Sequence, residues 1–86
     1  MKTALVVKEG LLRGNASLYR MDPPYEGQEY VIASSIDNMW GFETYLFPSN
    51  AAGEVTDWLE MEGSQKNTDD HAEIFEGIGY TIVREQ

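Results

Sequence analysis

EYVIASSI, residues 29–36, is the stretch that decides how this 86-residue chain is read. Tyr30, Ile32, Ser34 and Ile36 fall on one side and Val31 and Ala33 on the other, the period of two that a strand imposes. Asp37-Asn38 turns the chain, and Trp40–Phe47 follows as a second, aromatic strand that Pro48 is expected to end. Pro48–Gly53 is a turn-rich loop of hairpin length. On the N-terminal side, Tyr25-Glu26-Gly27-Gln28 connects back to Ala16–Met21, read as a strand. Asp22-Pro23-Pro24 should stop that strand, because prolines cannot donate to a ladder. Gly14-Asn15 marks a turn, and Thr3–Lys8 is a further β-branched run ending at Gly10.

Beyond the loop, Glu54–Met61 alternates. Val55, Leu59 and Met61 share one face, while Glu54, Thr56, Trp58, Glu60 and Glu62 share the other. The pattern favours a strand, although Asp57–Glu60 could form one helical turn. Gly63–Thr68 is a polar loop. Asp70-His71-Ala72-Glu73 then has the form of a capping box, with Asp69 and Asp70 suited to the positive end of a helix dipole. His71, Ile74, Phe75 and Ile78 have the spacing of a helix stripe that faces a sheet. Gly79 suits the left-handed position after the helix, with Gly77 an earlier stop. Tyr80–Arg84 reads as a last short strand. The sum is one α+β domain over residues 1–86: an antiparallel sheet of about five or six strands with one C-terminal helix packed on it.

Composition narrows the function. Hydrophobic residues make up 42% of the chain, enough for a folded core even though a chain this short buries only about 60–65% of its unfolded surface. The absence of cysteine excludes disulfides, thiolate zinc sites and cysteine nucleophiles, and points to a reducing cytoplasm. Ala4–Val7 is too short for a signal-peptide core, since Lys8 and Glu9 follow it. No run approaches the roughly 18 apolar residues of a membrane span. Fifteen acids against six bases leave a net charge of −9, and residues 43–86 carry most of it. From Met21 to Gln65 there is no base. Such a chain should avoid nucleic acid and anionic membranes and be drawn to basic protein surfaces.

Few residues suggest chemistry. Asp69, Asp70, His71 and Glu73 could hold a hard cation or place a base. Helix geometry turns His71 towards the apolar stripe, and capping already accounts for the acids, so no metal and no cofactor are expected. Serines are present, but none sits in a nucleophile elbow and only one histidine could serve them. Glycine-rich phosphate loops are missing. A second pattern suits binding: Glu54, Glu60 and Glu62 flank Trp58, an acidic line broken by one aromatic anchor. A buried Trp58 with solvated edge acids is the plainer reading of the same pattern.

Four segments together, YRMDPPYEGQEYV (19–31), ETYLFPSN (43–50), GEVTDWLEMEGS (53–64) and DHAEIFEGIGY (70–80), resemble a set of small proteins encoded by actinobacteriophages. The similarity runs from about Tyr19 onward. That set carries no established activity, so the resemblance implies a setting, the cytoplasm of an infected bacterium, and no catalytic residues. The expectation is a non-enzymatic protein-binding module that engages a host or phage protein. Alternatives are an acidic nucleic-acid mimic, a virion-associated or structural protein that self-associates through its sheet, and a small metal-dependent enzyme.

Overall fold

The computed structural model describes residues 2–11, 16–38, 41–57, 61, 65–66 and 70–84, and of residues 36–38, 42, 65 and 66 the backbone alone. Residues 29–36 lie in β3 (Gln28–Asn38), a central strand. Val31, Ile32 and Ala33 are all fully buried, so both faces of this strand are covered. β3 pairs antiparallel with β2 (Ala16–Tyr25) on one side and β4 (Gly41–Ser49) on the other. β1 (Thr3–Leu11) pairs antiparallel with β2, and a two-residue β5 (Gln65–Lys66) pairs with β4. After a seven-residue helix, α1 (His71–Gly77), the chain adds β6 (Thr81–Arg84) parallel to β1. The strand order is β5-β4-β3-β2-β1-β6.

The sheet is therefore mixed, where an antiparallel one was expected. Local patterning could place β6 as a strand, but its direction depends on α1 carrying the chain back to the opposite edge. The helix is the penultimate element, and the C-terminal one is a strand.

Several strands run past their expected ends. β2 continues through Pro23 and Pro24 to Tyr25. The prolines are tolerated because they fall where the β2–β3 ladder is irregular, between Arg20 and Tyr25. Pro48 lies within β4, not at its end. Its carbonyl accepts from Thr56 N at 2.9 Å, away from β3. A residue's N–H and C=O point the same way in an antiparallel ladder, so the missing donor of Pro48 faces outward and leaves no β3 carbonyl unpaired. β1 passes Gly10 to reach Leu11, with register shifts between Val6 and Lys8 and between Glu9 and Leu11.

The segment expected as a strand over 54–61 forms one isolated bridge, Val55 to Ser49, and residues 58–60 lie outside the described ones. The Asn50 side chain folds this region: its Oδ1 accepts from Ala52 N and Glu54 N, both at 3.0 Å. Val55 and Met61, which alternation placed together, belong to different sides of the sheet. Val55 packs with Ala16, Leu18 and Ile32. Met61 packs with the second cluster, on the helix side, where Ile74 and Phe75 meet Ala4, Tyr19, Met21, Val31, Ala33 and Leu46. Met61 N donates to Leu46 O at 2.7 Å, on the side of β4 away from β3.

The helix signals appear where the sequence put them. Asp70 is the N-cap, accepting from the amides of Ala72 and Glu73. Gly79 adopts φ 88°, Gly79 N donates to Glu76 O, and Tyr80 N donates to Phe75 O. This is the Schellman closure that a glycine beyond the last turn permits. Tyr80 then donates its hydroxyl to the carbonyl of Pro23 at 2.6 Å, tying the helix exit to β2.

Candidate functional site

Strand alternation puts Tyr19, Ser35 and Thr44 on the sheet face beneath α1, and the first residue of α1 is His71. Its imidazole bridges β2 and β3 directly and reaches β4 through Ser35. Nδ1 lies 3.0 Å from the Tyr19 hydroxyl and Nε2 lies 2.9 Å from Ser35 Oγ. Ser35 Oγ is in turn 2.9 Å from Thr44 Oγ1, whose residue is fully buried. Neutral imidazole carries one donor and one acceptor, and each hydroxyl can do either, so this chain of bonds closes in either sense. The Tyr19 ring meets His71 edge-on at 6.0 Å and leans on Phe75 at 4.5 Å. Burial pushes the Tyr19 phenol above its ordinary value, while a hydrogen bond with Ser17 and the Arg84 charge pull it partly back.

A recess of about 440 Å³ opens beside the imidazole. Tyr19, Ser17 and Ile82 line it from the sheet, and Asp70 and His71 from the start of the helix. Glu9 and Arg84, paired at 2.6 Å and both well exposed, stand at its rim. Ser35 does not line the recess; it lies behind the ring. A molecule entering would meet the imidazole and Tyr19, not a serine nucleophile. The one histidine does reach a serine, but in an arrangement suited to holding the helix on the sheet. Among the described buried side-chain polar atoms, none lacks a hydrogen-bond partner.

Of the residues singled out as metal candidates, the three that are described do not converge. The Asp70 carboxylate caps the helix, His71 faces the sheet, and Glu73 is exposed in the first turn. Among the described residues no three histidine, aspartate or glutamate side chains are grouped to hold a cation. Asp69 lies outside them. Of the acidic line, Glu54 is exposed in the Asn50-anchored loop, with its Oε1 3.5 Å from Asn50 Nδ2. Trp58, Glu60 and Glu62 lie outside the described residues.

Sequence reading placed His71 on the inward stripe but missed its partners. A trace was present: Ser35 and Thr44 are polar interruptions in two strands read as mostly apolar. What brings them together is the β3–β4 register, in which Ser35 stands directly opposite Thr44. No family model, curated protein or solved structure matches the chain.

Proposed function

We propose that this chain is a non-enzymatic protein-binding module, a phage-type accessory protein that acts in the cytoplasm of a bacterial host. The observation that carries the reading is the engagement of both ring nitrogens of His71 by hydroxyls of the sheet. The cluster with the most catalytic composition is thereby occupied in fastening α1. What the molecule offers outward is negative charge: Glu54, Asp57, Asp70, Glu73 and Glu76 are all exposed. A partner with a basic surface is the natural complement, and mimicry of a nucleic acid in a host protein's basic groove is its most specific form.

The test is capture from a nuclease-treated actinobacterial lysate with the tagged protein, followed by titration of the captured partner. The expected result is one enriched protein whose affinity falls at least about tenfold between low and physiological salt, and again on combined Glu54→Lys, Glu73→Lys and Glu76→Lys. Recovery of the bait alone, or binding indifferent to both salt and charge reversal, would remove the acidic-surface reading.

A further inference from the structure

The parallel strand β6 ends the sheet, and among the described residues it has a neighbouring strand on one side only. Its register with β1 says which groups face outward. Thr81 N donates to Lys2 O, and Thr81 and Val83 stand opposite Thr3 and Leu5. In a parallel ladder alternate residues turn their backbone groups to the same side. Thr81 and Val83 therefore bond to β1, and the N–H and C=O groups of Ile82 and Arg84 point to the open edge.

Two further observations select what could add there. Val83 and Val7 are the exposed large hydrophobic residues of the described chain, at 36% and 46%. Val83 pairs with Leu5, so the two form an apolar strip beside that edge, on the face opposite α1; Val7 sits beyond the paired segment, at the bulge of β1. Charge is the second. β1, β2 and β6 hold Lys8, Arg20 and Arg84 against Glu9 and Asp22, with Lys2 just before β1. With Asp70, Glu73 and Glu76 of α1, which packs on β6, counted in, this end holds four bases against five acids in a molecule of net charge −9, and it is where two copies meet with the least repulsion.

We propose that β6 is the seam of a symmetric homodimer, two copies pairing antiparallel across a two-fold axis at Val83. The register follows from the outward groups. Ile82 of one copy lies opposite Arg84 of the other and each exchanges both its N–H and its C=O, which leaves Val83 opposite Val83 as the close, non-hydrogen-bonded pair. The Leu5–Val83 strips then join across the seam, and each Ile82 gains the aliphatic stem of an arginine. Arg84 keeps its ion pair with Glu9 on its own copy. The interface is isologous and closes on itself, so association stops at two. The seam uses the backbone of Ile82 and Arg84 and the acidic surface uses the α1 and Glu54 carboxylates, so although α1 adjoins β6 either can fail alone.

The experiment combines sedimentation equilibrium with amide hydrogen exchange at low and high micromolar concentration, on wild type and Val83→Lys. Wild type is expected at twice the chain mass of 9.7 kDa, with the Ile82 and Arg84 amides slowed at least about tenfold at the higher concentration. The Thr81 and Val83 amides, already bonded to β1, should not respond. Val83→Lys, which sets two ammonium groups face to face, should be monomeric with an unchanged far-UV spectrum. A wild type that stays monomeric overturns the proposal even if it still binds a basic partner. So does a dimer in which the Ile82 and Arg84 amides exchange as in the monomer, a result that needs no variant to fold.

Discussion

At the scale of the residue, His71 joins three hydroxyl side chains into one unit between helix and sheet. Replacing it with alanine removes the partner of the Tyr19 hydroxyl and one of two partners of Ser35 Oγ, and such a loss at buried or half-buried groups costs about 1–3 kcal/mol. His71→Ala should therefore unfold at a clearly lower urea concentration while keeping a native-like spectrum. Tyr19→Phe should lose less, because the recess lets water reach Nδ1. An unchanged urea midpoint for His71→Ala would mean the network contributes no stability. The tyrosines also set an alkaline limit. Burial raises the phenol of Tyr19 and that of Tyr80, which Asp22 pushes further in the same direction. Both hold their proton where an unfolded chain, titrating near 10.0, has begun to lose it. The unfolded state then binds fewer protons, so stability is intact below about pH 10 and falls as pH climbs through the raised values. Phenolate absorbance compared with Tyr19→Phe and Tyr80→Phe should show these two phenols ionising late, together with unfolding. That His71 points inward was legible from its place in the stripe with Ile74 and Phe75. Its partners were not, because they come from strands far away in sequence.

At the scale of the element, short-range rules did well wherever they dealt with caps and periods. Asp70 and Gly79 close α1 at the two ends where their side chain and backbone preferences put them. Turn chemistry leaves one visible imperfection. The two-residue connection between β2 and β3 has positive φ at both central positions, 50° at Glu26 and 80° at Gly27. That is the type I′ turn, for which glycine suits the second position and asparagine the first. Glu26 bears a left-handed conformation that an ordinary side chain resists. Glu26→Asn should thus raise stability by about 0.5–1 kcal/mol, seen as a higher melting temperature with no change in the unfolding slope. No gain would show that Glu26 supplies a compensating interaction. Strand ends were read less well. Pro23, Pro24 and Pro48 looked like stops because proline lacks a donor. Whether a missing donor matters depends on the side it faces, and only the pairing partner determines that.

Across the whole molecule, the dominant long-range term is charge. The two ion pairs between described residues, Arg20–Glu29 at 3.2 Å and Arg84–Glu9, are both exposed and contribute little to stability. Self-repulsion of nine net negative charges should outweigh them. Raising sodium chloride from about 10 to 300 mM shortens the Debye length from roughly 30 Å to under 8 Å and should raise the melting temperature by a few degrees. A fall instead would mean that specific ion pairs dominate the surface.

Length, acidity, the central strand at residues 29–36 and the capped helix at 70–79 are determined by the sequence itself. They rest on composition, on side-chain periods and on hydrogen bonds a few residues long. The parallel direction of β6, the placing of Val55 and Met61 on opposite sheet faces, and the union of Tyr19, Ser35 and Thr44 at His71 were decided by the tertiary structure. Each depends on which strand lies beside which and in what register. That choice is made when apolar surface distant in sequence is buried together, and no local pattern encodes it.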